Sequence, residues 1–218
     1  MSLRDQLSQR IEAALQNDAY KAAYDQVITT LRDNGFLPNI IAVGDRFPDF
    51  MLPDASGGLV DLTSLLARAP VIIQFFRGDW CPYCRMMLDS LSDSLPALIA
   101  AGGTLVALTP DTHGLALDAK IAHNADFIVL SDVDYGVGLA AGVIFRLPPL
   151  YRNRLNLAGI DLAERHGNAA WFLPVPATFV LDGEGIVRWR FADPDFTKRA
   201  EPSEVIEVVR ALKTGSLG

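Results

Sequence analysis

The sequence predicts an α/β fold, a central mixed β-sheet flanked by helices with an N-terminal helical extension. Apolar runs at residues 71–76, 104–108 and 127–130 alternate with helix-length segments. This β-α-β-α-β order has crossovers long enough to favour parallel pairing. Residues 177–181 and 186–191 flank Asp182-Gly183-Glu184-Gly185, a turn-forming tetrapeptide that closes a hairpin. Between residues 3 and 31, apolar positions (Leu3, Leu7, Ile11, then Tyr20, Ala23, Tyr24, Val27, Leu31) recur at three- and four-residue spacing, the period of a helix with one docked face.

Taken in order, that N-terminal stripe is one long helix or two, stopping near Asn34-Gly35. The first 40 residues are read as a helical segment and 41–213 as the main domain. Residues 43–62, with Asp54-Ala55-Ser56-Gly57-Gly58 at the turn, look like a hairpin, and Thr63 or Ser64 is placed to cap a short helix ending by Ala69-Pro70. Residues 71–76 form a continuous apolar strand of the kind buried on both faces. A helix from Pro82 to Gly102-Gly103 follows, with Pro96 expected to kink it. Helices are expected at 111–124 and 135–143. Residues 144–171, carrying Pro148-Pro149, Arg146, Arg152 and Arg154, read as an irregular insertion or lid. The final helix begins near Pro202 behind Glu201, Ser203 and Glu204, an acidic first turn.

Half of the 218 residues are hydrophobic and 21% are charged, the balance of a folded domain. A net charge of -7 argues against nucleic acid, whose binding draws on Lys and Arg at phosphates. Residues 1–7 contain no apolar core of a signal peptide and no segment reaches the roughly 20 apolar residues of a membrane span, so a cytoplasmic protein is expected. Gly57-Gly58 and Gly102-Gly103 lack phosphate-loop spacing, so no nucleotide cofactor is implied.

The only two cysteines stand in Phe75-Phe76-Arg77-Gly78-Asp79-Trp80-Cys81-Pro82-Tyr83-Cys84-Arg85, just after a buried strand. In a reducing compartment two such cysteines point to catalysis rather than structure. Zinc needs about four ligands, and neither a second Cys-rich cluster nor a nearby histidine pair is present. Pro82 suits a first helical position. The unpaired N–H groups and helix dipole there stabilise a thiolate. Arg77 or Arg85 could favour the thiolate through opposite charge, with Arg77 preferred; otherwise either is a surface arginine paired with Asp79 or Asp89. Trp80 and Tyr83 either rim the site or belong to the core. Asp79 reads as an exposed loop residue, and His113, His123 and His166 as solvated or packed.

Trp80-Cys81-Pro82-Tyr83-Cys84 after one strand and Val175-Pro176-Ala177-Thr178-Phe179 before another resemble the hallmarks of the thioredoxin fold. Gly44-Asp45-Arg46-Phe47-Pro48-Asp49-Phe50, Leu130-Ser131-Asp132 and Phe179-Val180-Leu181-Asp182-Gly183 resemble, more narrowly, the alkyl hydroperoxide reductase and thiol-specific antioxidant family, the peroxiredoxins. The likeness covers roughly residues 41 to 212. Laying that family's Pro-x-x-x-Thr/Ser-x-x-Cys pattern on the chain puts Cys84 at the peroxidatic position, Cys81 at the threonine and Arg77 at the proline, while Pro176 stands where an arginine is usual. Arg77, Arg146 or Arg152 could substitute for it.

The resemblance implies an antioxidant oxidoreductase that reduces hydroperoxides through a Cys81/Cys84 dithiol–disulfide cycle. Thioredoxin or a glutathione-type reductant would supply the electrons, and a homodimer is possible. Under a thioredoxin-like mechanism the roles swap: Cys81 attacks a protein disulfide, and a cis Val175–Pro176 bond would form a groove for the substrate chain. Binding functions stay open beside these, either an iron–sulfur site shared by a dimer or a redox-gated interaction through the N-terminal helices.

Overall fold

The computed structural model describes residues 1–215. Helices α1 (Leu3–Ala14) and α2 (Asp18–Asp33) are separate. Ser2 and Asp5 close a capping box on the first and Asn17 caps the second, accepting from the Tyr20 N–H. A single turn, α3 (Phe36–Asn39), follows Gly35. Strands β1 (Met51–Pro53) and β2 (Leu59–Asp61) form the expected antiparallel hairpin. Asp61 rather than Thr63 or Ser64 caps α4 (Leu62–Leu66), because its carboxylate accepts the Ser64 N–H while its own backbone is still extended.

The main sheet is thioredoxin-like. Strands β3 (Val71–Phe75), β4 (Thr104–Thr109) and β5 (Ile128–Ser131) pair in parallel, with α5 (Pro82–Ala101) and α6 (Leu115–Ala122) as crossovers. Helix α6 is shorter than the 111–124 expected, since Thr112 and His113 lie in a loop before Gly114. Helix α5 runs unbroken through Pro96. A 3-10 turn (Val133–Tyr135) and α7 (Gly136–Ala140) follow β5.

The insertion at 144–171 is more regular than its sequence indicates. It holds β6 (Ile144–Arg146), α8 (Pro149–Leu157) and α9 (Leu162–His166), and β6 pairs with β7 (Phe172–Pro174). Elements of three to nine residues leave little periodic signal. Strands β8 (Ala177–Leu181) and β9 (Val187–Ala192) complete the sheet in the order β5-β4-β3-β8-β9, and β8 runs antiparallel to β3. Helix α10 (Pro202–Thr214), boxed by Glu201 and Glu204, packs on α5. The N-terminal helices join the same body, α1 against α5 and α2 against α8. Leu3, Leu7, Val27 and Leu31 are buried in one core with Ile72, Leu98 and Val180. Among the described residues no helix is long and apolar enough to cross a membrane.

Candidate redox site

Strand β3 is buried along its whole length and delivers the chain to a sharp turn at Gly78. Cys81 then becomes the N-cap of α5 and Pro82 its first residue. The Cys84 and Arg85 N–H groups both donate to the Cys81 carbonyl, 3.0 and 3.1 Å away. The Cys81 side chain therefore lies at the positive end of a 20-residue helix. Both sulfurs are free thiols, and both residues are buried, Cys81 1% and Cys84 0% exposed.

Two arginines face the pair. Arg77 is fully buried, its guanidinium stacked among Phe196, Trp80 and Tyr151 with centroid distances of 4.5, 4.9 and 5.1 Å. Its three nitrogens make no hydrogen bond of ordinary geometry, so its charge is balanced through space. Its backbone N–H approaches the Cys84 sulfur at 3.5 Å. Arg199, in the loop between β9 and α10, donates from Nη2 to the same sulfur at 3.3 Å. Its other terminal nitrogen holds the Phe196 and Lys198 carbonyls.

These surroundings separate the two thiols. Burial pushes Cys81 up, but the Cys84 thiol donating to it and the charges of Arg77 and Arg199 outweigh burial and bring it down to about 5. Cys84 moves the opposite way, raised by burial and by its bond to Cys81. The charged form is therefore favoured at Cys81 over Cys84.

A cavity of about 290 Å³ opens on Cys81. Trp80, Pro82 and Tyr83 from the dithiol segment line it, with Tyr20 from α2 and Tyr151 and Arg154 from α8. Trp80 and Tyr83 thus combine both readings, forming rim and core together. The Tyr20 and Tyr83 hydroxyls meet at 2.9 Å and tie the N-terminal helices to α5.

Other sequence expectations need correction. The Val175–Pro176 bond is trans, so no cis-proline groove exists. The Thr178 hydroxyl donates to Gln74 at 2.7 Å between β3 and β8, a sheet contact rather than one to sulfur. Asp79 lies in the turn before Cys81 as expected but is half-buried rather than exposed, because His123 bridges it to Asp89 with both contacts at 2.6 Å. It also faces Arg85 at 3.7 Å. Arg146 is exposed, and Arg152 stacks on Trp171, bonded to the Leu147 carbonyl. Of the three expected substitutes only Arg77 faces the sulfurs, and the second arginine there is Arg199, which sequence reasoning missed because a lone arginine ahead of a helix carries no pattern. Tyr151 and Phe196 were missed for the same reason.

The AhpC/TSA family model matches residues 43–190. Among curated proteins, one from Mycobacterium tuberculosis provisionally named as a peroxiredoxin is 33% identical over 99 residues, 45% of this chain and 62% of its own length. Peroxiredoxin Q of rice chloroplasts (Oryza sativa subsp. japonica) is 24% identical over 172 residues, 79% of this chain and 68% of its own. Among solved structures, the peroxidoxin BcpB of Mycobacterium tuberculosis superposes with a TM-score of 0.62 at 20% identity, covering 78% of this chain and 97% of its own. Mycobacterium tuberculosis AhpC gives 0.62 at 16%, covering 82% and 97%. At those identities the structural likeness speaks to the fold.

Proposed function

The chain belongs to the AhpC/TSA family, and from that premise we propose that it is a thiol-dependent peroxidase in which Cys81 attacks the hydroperoxide and Cys84 resolves. The observation that carries this assignment is the placement of the Cys81 side chain at the cavity wall and at the start of α5. Cys81 borders the cavity and sits on the helix N-terminus, whereas Cys84 lies behind it and is not part of the cavity wall. The roles are thus the reverse of those obtained by laying the family's cysteine pattern on Cys84.

The Cys81 thiolate attacks one peroxide oxygen; the S–O bond forms, the O–O bond breaks, and the departing alkoxide takes a proton from solvent to leave as an alcohol. Cys81 is thereby oxidised to a sulfenic acid. Arg77 and Arg199 supply fixed positive charge where negative charge develops, the role a preorganised electrostatic site plays in lowering a barrier. The Cys84 sulfur then attacks Cys81, the S–S bond forms, and water leaves. A dithiol of the thioredoxin type, or two molecules of a glutathione-type thiol, returns two electrons and restores both thiols. No step calls on a metal or an organic cofactor.

Burial of Cys81 favours a small oxidant over a protein disulfide, whose sulfur would have to reach a thiolate covered by α2 and α8. The trans Val175–Pro176 bond removes the substrate groove that the exchange mechanism would use. Single-turnover mixing with hydrogen peroxide tests the assignment. In Cys84→Ser, a sulfenic acid on Cys81 should accumulate and be trapped by dimedone, while Cys81→Ser stays unmodified. A dimedone adduct on Cys84 in Cys81→Ser, with Cys84→Ser inert, would reverse the roles. Inertness of both variants alongside rapid oxidation of the wild type by a protein disulfide would establish exchange instead.

A further inference from the structure

The cavity beside Cys81 is far larger than its reaction requires. A hydroperoxyl group needs little more room than the roughly 30 Å³ that one water takes in the liquid, whereas the cavity measures about 290 Å³. An engineered cavity of about 150 Å³ accommodates benzene, so this one has room for a compact organic skeleton of roughly a dozen non-hydrogen atoms. Its walls suit such a skeleton: Tyr20, Trp80, Tyr83 and Tyr151 present rings, and Leu155 and Ile160 add aliphatic surface.

Its charge is as specific as its shape. In a chain of net charge -7, the cavity lining contains Arg10 and Arg154 and no carboxylate. Neither arginine has an ion-pair partner among the described residues. Arg154 lies 5.5 Å over the Tyr20 ring. The lining phenols supply no compensating negative charge, since burial holds Tyr20, Tyr83 and Tyr151 above the ordinary tyrosine range. The net charge acts weakly over distance because salt screens it within about 8 Å, so an arriving molecule experiences these two guanidiniums. Arg10 is on α1 and Arg154 on α8, which gives the N-terminal helices and the 144–171 insertion a joint task.

We propose that this cavity selects organic hydroperoxides whose carbon skeleton is compact and aromatic or branched and carries a carboxylate, held by Arg10 and Arg154 while the peroxide reaches Cys81. The proposal rests on the peroxidase reading above. It assigns Arg10 and Arg154 to binding and leaves the electron and proton transfers unchanged.

A matched pair of oxidants tests it: cumene hydroperoxide and its para-carboxylate, which differ in one charged group. Reduced wild-type protein should be oxidised roughly ten-fold faster by the carboxylate, as expected when two partly exposed cations each contribute modestly. In Arg10→Gln/Arg154→Gln the ratio of the two rates should fall to about one. The ratio is taken within each protein, so a general loss of activity cancels. An unreactive probe, 4-isopropylbenzoate, should protect Cys81 of the wild type from iodoacetamide, and neutral isopropylbenzene should protect far less. Equal rates and equal protection for charged and neutral probes overturn the substrate class while leaving the peroxidase intact. Failure of every hydroperoxide, hydrogen peroxide included, to oxidise Cys81 brings down the underlying reading, and protection by 4-isopropylbenzoate then reports on the cavity alone.

Discussion

Arg199 reaches the Cys84 sulfur at 3.3 Å across 115 residues of sequence, and its charge also lowers Cys81. The loop before α10 thus takes part in setting the thiolate. Replacing Arg199 with Gln should raise the Cys81 pKa by about one unit, since a unit corresponds to about 1.4 kcal/mol of differential interaction. Alkylation by iodoacetamide across pH reads this directly. Arg199→Lys should recover part of the shift through charge alone, without the fork in which Nη1 holds the Phe196 and Lys198 carbonyls while Nη2 reaches Cys84. An unmoved alkylation profile in both variants would remove Arg199 from the site.

Arg77 offers the sharper contrast between stability and reactivity. A buried guanidinium whose nitrogens make no hydrogen bond of ordinary geometry carries a desolvation cost of several kcal/mol, offset in part by three aromatic rings and by the neighbouring sulfurs. Arg77→Met fills the cage with an apolar chain and favourable sulfur–aromatic contacts. The variant should melt at or above the wild-type temperature, yet its Cys81 should titrate closer to an ordinary thiol. Cys81 has a depressed folded pKa, so its contribution to stability is complete above the unfolded value of about 8.5 and is lost as pH falls towards about 5. Urea unfolding of the reduced proteins across that window should show the Cys81-linked slope in wild type and a flatter one in Arg77→Met.

Much of this architecture was legible in the sequence because it follows from period and punctuation. The buried strand at 71–75, the proline that starts α5 and the Asp182-to-Gly185 turn are local signals with local causes. The dithiol was legible too, since two cysteines three positions apart need no partner from elsewhere. Its environment was not. Arg199, Tyr151 and Phe196 reach Arg77 or the sulfurs only through tertiary packing, and His123 bridges two carboxylates on and before α5 from the far end of α6. The insertion was misjudged because its helices are short and the stretches around them carry Pro148-Pro149, Gly159 and Gly167, which read as breaks.

Gly78 fixes the turn that brings the dithiol to the end of β3. Its φ of 118° lies where side chains rarely go, and a Cβ there would stand 2.4 Å from Asp111 Oδ2 and 2.7 Å from Trp80 Nε1. Both obstacles are buried or partly buried, and Asp111 is held by two bonds from Arg165, so neither yields easily. Gly78→Ala should therefore cost about 1–3 kcal/mol, roughly 2–12 °C in melting temperature for a chain of this size. Peroxide oxidation should slow as well, because Trp80 would be displaced from the cavity wall. A variant that melts and reacts like wild type would show that the turn is not held by this contact.

His166 governs stability on the acid side. Burial and the nearby Arg165 charge push its pKa down to about 4. Asp111 lies 3.6 Å from Nε2, but its charge is already compensated by Arg165 at 3.0 and 2.7 Å. The Tyr135 hydroxyl sits 2.9 Å from the other ring nitrogen. The folded ring is neutral, whereas the unfolded one protonates near 6.5. Acidification therefore favours the unfolded chain, and this contribution, complete above pH 6.5, is lost between 6.5 and about 4. The shift corresponds to roughly 3 kcal/mol. Urea unfolding of wild type and His166→Gln should show the wild type losing that much more stability over the interval, whatever the difference between them at neutral pH. Parallel curves would mean that the ring is already charged in the folded protein, paired with Asp111.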